Sequence, residues 1–418
     1  MTAKEVYEAG FPIYSFTFQE KRKELLQFLK GDYWRLIRNG VIRQNMNGLA
    51  LCWSFFPHSW SVQCGDMLTP MQVFSHHLED ALVRRRAMDK CKTASDLRKA
   101  LRTYSGAQGV SNFRPSAALA LYNRYLPKEG GTVWDMSSGF GGRLLGSFGC
   151  PRVHRYIGTD PATLTHQGLC AMRDELLPMM DTMGYRIPAI ELHHIGSEDF
   201  PPEPESLDCC LSSPPYGSHE KYSDEPSQSY IRFSSNEEWL NGYMRTTLEN
   251  CWAGLKPNGW LVINVADCSS YPTLTSDFLE LAKGMGFRLV ETLQLALSKM
   301  VGTDKWSATH KYEPVFAFRK SPTRTLHILT AELKNDIEHQ LGVGLMPDYS
   351  KQIASAATIA QTKATAAIDV SKPAAAEQTL VTIEPKWRPS VSPAAHTSTH
   401  LKAKPESTFR LGTTIRTV

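Results

Sequence analysis

The apolar run Leu207–Ser212 leads directly into Ser213, Pro214, Pro215 and Tyr216. Two consecutive prolines offer no N–H to a sheet ladder, so a strand over this run must leave its sheet there. In an open α/β sheet that exit lies at the carboxyl edge, where ligands bind. The residue types suit an acceptor whose nitrogen lone pair is delocalised, such as the exocyclic amine of cytosine or adenine. The Ser213 hydroxyl and the Pro214 carbonyl can each accept an amine N–H, favouring a more pyramidal and more nucleophilic nitrogen. The fixed φ of proline holds that carbonyl without adding a competing donor. Tyr216 supplies a flat face on which an extruded base can stack. A turn that merely ends a buried strand is the plainer reading of Ser-Pro-Pro, and the added tyrosine weighs against it.

A second cluster lies upstream. A strand over Thr132 to Met136 runs into Asp135-Met136-Ser137-Ser138-Gly139-Phe140-Gly141-Gly142, and from Arg143 a helical pattern resumes. Glycines at a strand-to-helix turn let the backbone pass close to a bound nucleoside. One strand later, Tyr-Ile-Gly-Thr-Asp-Pro ends in Asp160, placed to accept hydrogen bonds from ribose hydroxyls. Other reactive-looking residues carry less. The side chains of His76-His77 and of His193-His194 diverge, so no metal site is expected. On a strand, Cys209 and Cys210 alternate, which buries at least one of them. Pro215 and Tyr216 stand where a carbon-5 cytosine methyltransferase needs its nucleophilic cysteine, so covalent catalysis is not expected.

The elements that must position these residues follow from periodicity. Short β-rich runs at Thr132 to Met136, Arg155 to Asp160, Ile190 to His194, Leu207 to Ser212 and Trp260 to Val265 alternate with helical stretches. Such alternation predicts an α/β, doubly wound, mostly parallel sheet. Phe287 to Leu297 and Pro314 to Arg319 have no helix between them and are expected to form an antiparallel hairpin. Helical patterns over Lys21 to Leu29, Pro70 to Met88 and Ala94 to Arg102, around the aromatic run Cys-Trp-Ser-Phe-Phe-Pro-His-Ser-Trp, give a mainly helical N-terminal region. The expected division is 1–105 for that region, 106–325 for the catalytic domain, 326–344 for a candidate helix and 345–418 for a low-complexity tail.

Together these residues resemble the amino-methyltransferase family of DNA methyltransferases, which act on cytosine N4 or adenine N6 in restriction-modification systems and phage genomes. The resemblance covers about residues 110–320. It implies the seven-stranded class I methyltransferase fold and S-adenosyl-L-methionine as cofactor. In that family the Asp-x-Phe-x-Gly-x-Gly motif holds the methionine part of the cofactor, which points to Asp135, Gly139 and Gly141, with Ser137 standing where the family usually has Phe. Ser-Asn-Phe-Arg-Pro-Ser resembles the flanking cofactor helix and implicates Phe113 and Pro115. After the third strand, Asp199 is expected on the adenine amine and Phe200 on its ring, with Glu198 as the alternative to Asp199. A loop opening on Ser rather than Asp or Asn favours cytosine N4. Double-stranded DNA is the implied partner, together with a cognate restriction endonuclease and a cytoplasmic location in a bacterial or phage-infected cell. An RNA-base or protein-amide N-methyltransferase of the same fold is the first alternative, and a catalytically silent nucleic-acid-binding protein the second.

Composition sets outer limits. With 42% hydrophobic and 21% charged residues, most of the 418-residue chain should fold. No apolar run approaches the roughly 18 residues of a membrane span, so a soluble, intracellular protein is expected. Nine cysteines without a zinc-like spacing argue for reduced thiols. Charge is uneven: Lys and Arg outnumber Asp and Glu by 16 to 10 in residues 1–105 and by 9 to 5 in 345–418, whereas acids lead 27 to 21 between them. Basic flanks can attract phosphate, or be ordinary solvated faces. Only 77 positions separate Asp135 from Ser212, which leaves no room there for a target-recognition domain. Recognition is expected instead from Gly217 to Glu237, from the basic-aromatic loop Ser298 to Tyr312, from the N-terminal region, or from a mixture. Arg84-Arg85-Arg86 point in different directions on a helix and are expected to be solvated.

Overall fold

The computed structural model of the chain describes residues 3–43, 45–84, 93–297 and 312–321. The expectations for Arg85 and Arg86, for Ser298 to Lys311, for 326–344 and for the tail 345–418 fall outside the described residues.

Eleven strands are described: β1 Ile37–Arg38, β2 Val41–Ile42, β3 Gln63–Cys64, β4 Gly131–Asp135, β5 Val153–Thr159, β6 Ala189–His193, β7 Leu207–Ser212, β8 Glu220–Lys221, β9 Leu255–Asn264, β10 Phe287–Ala296 and β11 Tyr312–Lys320. Nine form one sheet in the order β1-β2-β10-β11-β9-β7-β4-β5-β6. Pairing is parallel from β6 through β5, β4 and β7 to β9, and antiparallel at β9–β11 and β11–β10. The seven expected strands are therefore present with their hairpin. Two-residue strands β1 and β2 extend the edge beyond β10, with β2 parallel to it. They are too short to carry a hydrophobic period, so no sequence pattern announces them.

Alternation along the strands explains why both faces are covered. Val133, Cys209 and Val262 point into one core, while Trp134, Cys210 and Ile263 point into the other. The first face is packed by helices Pro115–Tyr125, Gly142–Gly149 and Thr163–Thr182, the second by Arg245–Gly254 and Leu274–Gly284. After β4, β5 and β6 step outward to one side, and β7 returns to the other side of β4. That reversal opens a crevice at the carboxyl ends of β4 and β7, where the Gly-rich turn and the Ser-Pro-Pro-Tyr loop both begin.

The N-terminal elements share the first core. Leu25, Phe28, Trp53 and Phe56 are buried against Phe140, Leu144, Leu145 and Met172. Helix Phe18–Leu29 opens with a capping box, in which Thr17 N–H donates to Glu20 Oε2 at 2.8 Å. The single helix expected from Pro70 to Met88 is corrected to two, Pro70–His76 and Leu78–Arg84. His77, with φ −134° and ψ 19°, breaks the helix between them and stacks on Tyr104 at 5.6 Å. Among the described residues no helix is long and apolar enough to cross a membrane.

Candidate active site

Asp135 closes β4 with no exposed surface. Its Oδ2 accepts from Arg143 Nε at 2.8 Å and from the Tyr156 hydroxyl at 2.7 Å, and its Oδ1 accepts from the Ser212 hydroxyl at 2.9 Å. Ser212 Oγ accepts the Ser137 N–H at 3.1 Å, and Arg143 also donates to the Ser137 carbonyl. Burial disfavours the Arg143 charge, but the Asp135 carboxylate more than offsets this and holds its pKa above the usual guanidinium range. The last residue of β7 is thus bonded to the last residue of β4. One buried network sets the geometry of both loops.

The turn itself needs its glycines, Gly139 included, whose φ is +54°. Gly141 has φ +74°, in the left-handed region that a side chain strains. A Cβ on Gly142 would lie 1.8 Å from the Phe113 carbonyl oxygen, so only glycine lets the segment before helix Pro115–Tyr125 rest on the turn. Asn112 secures that contact by donating to the Phe140 carbonyl at 2.8 Å. Phe113 consequently reaches the cavity wall, whereas Pro115, at the first turn of its helix, is buried behind it.

Asp160 follows β5 and is 8% exposed. Its two oxygens accept the backbone N–H groups of Gly139 at 2.9 Å and Ala162 at 3.0 Å, and each keeps a further lone pair. Burial pushes its carboxyl up to about 6. After β6, Glu198 presents Oε1 to Arg232 at 2.7 Å, while its buried Oε2 has no partner among the described residues. Asp199 accepts from the same Arg232 Nη1, and from Nη2 at 3.2 Å, and is exposed. Phe200 packs on Trp134 at 5.3 Å and on His193 at 4.7 Å. Of these three candidates, Glu198 is the one in the cavity wall.

The cavity has a volume of about 1270 Å³. It brings Ser137, Gly139, Asp160 and Glu198 together with Ser213, Pro215 and Tyr216, while Asp135, Gly141 and Pro214 stand behind its surface. Tyr243 lies on the π-helical turn Trp239–Met244, where the wider ring offsets the helix, and its hydroxyl meets Ser137 Oγ at 3.0 Å. Burial pushes the Tyr216 phenol well above its ordinary value, and the Glu313 and Glu220 carboxylates add to the shift. Glu220 is itself raised to about 7 by burial, with Glu313 contributing, and it accepts from the Tyr222 hydroxyl at 2.5 Å.

The segment after Tyr216 roofs this space. β8 pairs with β3 through Cys64 and Glu220, so the N-terminal region fixes the start of the roof. Tyr222 then meets Phe140 with ring centroids 5.9 Å apart, Glu225 accepts the Thr163 N–H at 3.0 Å, and Ser227 donates to the Pro161 carbonyl at 3.1 Å. The polar, aromatic character of 217–237 is legible in sequence. The parts played by Arg143, Tyr243 and Arg232 are not, because each is defined by a partner distant along the chain.

Comparison with known proteins gives a match over part of the chain. Residues 207–411 match the model of the N6/N4 DNA methylases. The matched span begins at β7, includes Ser213 to Tyr216, and leaves out the Gly-rich turn. Among solved structures, an N-methyltransferase, NodS, from Bradyrhizobium japonicum WM9 aligns at 13% identity over 49% of this chain and 94% of its own, with a TM-score of 0.31. An O-methyltransferase from Thermotoga maritima aligns at 10% identity over 51% of this chain and 67% of its own, with a TM-score of 0.33. At these scores neither bears on substrate or mechanism. No curated protein sequence matches the chain.

Proposed function

We propose that this chain, an S-adenosylmethionine-dependent methyltransferase of the DNA methylase family, methylates an exocyclic amine of a DNA base, with cytosine N4 favoured over adenine N6. One observation carries the reading: Ser213 and Tyr216 open onto the same cavity as Gly139, Asp160 and Glu198. An acceptor group and a nucleoside cofactor therefore have adjoining places in one enclosure.

The donor set fits the cofactor. Asp160 has free lone pairs for ribose hydroxyls, the unpartnered Glu198 Oε2 suits an adenine amine, and Gly139 leaves room at the turn. When bound, S-adenosylmethionine supplies an electrophilic sulfonium methyl group. The chain's own residues orient and activate the acceptor. The Ser213 hydroxyl, in the cavity wall, accepts an amine N–H, which helps to localise the nitrogen lone pair. Tyr216 offers its ring face to the base, and its raised phenol stays neutral. The segment after Tyr216, which brings His219, Glu220, Tyr222 and Ser227 into the cavity wall, helps to hold acceptor and donor together. Serine at the head of the loop supports cytosine, as the family resemblance implies.

Methyl transfer from labelled cofactor to genomic DNA, total RNA and a glutamine-containing peptide, assayed side by side, tests the substrate class. Label in DNA alone is expected. Label in RNA or peptide without DNA would transfer the same machinery to a different acceptor and refute the assignment.

A further inference from the structure

Helix Ala94–Arg102 buries Leu97, Ala100 and Leu101 and carries Arg98 and Arg102 one turn apart. Arg98 lies over the Tyr14 ring at 3.9 Å and donates to the Pro12 and Ile13 carbonyls at 2.9 and 3.4 Å. Arg102 is placed differently. Its guanidinium lies 4.4 Å from the Trp60 ring centre and 5.4 Å from that of Trp53, and it reaches the wall of the same cavity as Ser213 and Asp160. Among the described residues it forms no ion pair or hydrogen bond, and its buried Nε lacks a partner. Arg124, Arg143, Arg155 and Arg232 each face a carboxylate. Burial disfavours the Arg102 charge, with the Tyr14 phenol opposing the shift and a second cation, Arg98, adding to it.

A part-buried cation with a like-charged neighbour and no internal acceptor is costly unless a ligand completes it. The indole faces stabilise the plane of the guanidinium and leave its N–H edge for an oxyanion. Gln108 and Ser111 line the same cavity and are neutral donors of the kind that commonly accompany a phosphate contact. The segment that supplies it, residues 1–105, is the basic one, with 16 Lys and Arg against 10 acids. Next to the Gly-rich turn, the wall has a guanidinium of its own in Arg114, adjacent to Phe113.

We propose that Arg102, backed by Trp53 and Trp60, binds a backbone phosphodiester of the strand that carries the acceptor base. This rests on the reading of the chain as a nucleic-acid base methyltransferase. It gives the N-terminal region a part in substrate capture: its aromatic run is the platform that aims Arg102.

The test uses full-length wild type, Arg102→Gln and Arg102→Lys. Binding of a labelled duplex is followed by anisotropy across a salt series, binding of S-adenosylmethionine by calorimetry, and the wild-type product by nucleoside mass spectrometry. For Arg102→Gln, duplex affinity at low salt should fall about tenfold and the log–log salt slope by about one, the value for one phosphate contact. Cofactor affinity should stay within about twofold. Arg102→Lys should keep the slope and bind the duplex with intermediate affinity, and it serves as the test if the glutamine variant fails to fold. Loss of cofactor affinity with an unchanged salt slope would make Arg102 a counter-ion for the cofactor carboxylate and overturn the proposal. An unchanged duplex affinity would also overturn it, while a methylated product in the wild type left the functional reading standing. A wild type that neither binds nor methylates polynucleotide would remove both.

Discussion

Two guanidiniums face opposite fates in this molecule. Arg143, under the Gly-rich turn, is held by Asp135 and the Ser137 carbonyl inside a network that leaves neither Asp135 oxygen unengaged. Arg102, in the wall of the same cavity, lies against two indoles with no acceptor among the described residues. The first arrangement creates shape, because every buried polar group is satisfied from within. The second leaves capacity unused, as do Glu198 Oε2 and the open lone pairs of Asp160. Buried groups that the fold itself does not complete are the ones that await a ligand.

The contrast can be broken most severely at Asp135. Asp135→Ala strands the Arg143 charge in the core and should cost about 3–5 kcal/mol in urea unfolding. A folded variant of unchanged stability that had lost cofactor binding would instead make Asp135 a ligand. Ser213→Ala removes a hydrogen-bond acceptor at the cavity surface without disturbing that network. Turnover should fall roughly a hundredfold, with cofactor affinity preserved in calorimetry. Equal loss of both would count against its assigned role.

Asp160 makes cofactor binding depend on pH. Its carboxyl is raised to about 6 by burial, and ribose hydroxyls donate to its ionised form. Cofactor affinity should therefore weaken roughly tenfold per pH unit below about 6, level off above it, and lose this dependence in Asp160→Asn. The same shift has the opposite sign for folding. The native state keeps a proton that the unfolded chain releases, so this group lowers stability as pH rises from the ordinary carboxylate range to about 6 and adds no further change above it. The smallest effect is expected at Arg102. Arg102→Gln should alter unfolding free energy by no more than about 1 kcal/mol, the scale of the lost cation–π contacts, in contrast to Asp135→Ala.

How far the sequence reveals these features depends on their range. Strands β4 to β7, β10 and β11 have boundaries within about two residues of their expected positions, because local apolar periodicity encodes them, whereas β9 begins five residues before the expected Trp260. Ser213 to Tyr216, the Gly-rich turn and Asp160 are legible for the same reason: proline, glycine and a strand-end acid act where they stand. Long-range pairing is not legible. Asp135 reads as a cofactor contact until Arg143, Tyr156 and Ser212 are seen to surround it. Glu198 and Asp199 are adjacent, and only the turn Ser197–Asp199 decides which one faces the cavity. Arg102 reads as one more basic residue on an amphipathic helix, since nothing near it in sequence announces Trp53 and Trp60. The break at His77 escapes a helical pattern that continues on both sides.

The most direct test of the central claim is nucleoside mass spectrometry on digested DNA from cells expressing the wild type, beside a Ser213→Ala control. N4-methylcytosine in the wild type, strongly reduced in the control, is the predicted result. N6-methyladenine would preserve the amine-activating loop and overturn the choice of base. Neither product, in a protein that binds S-adenosylmethionine, would contradict the account.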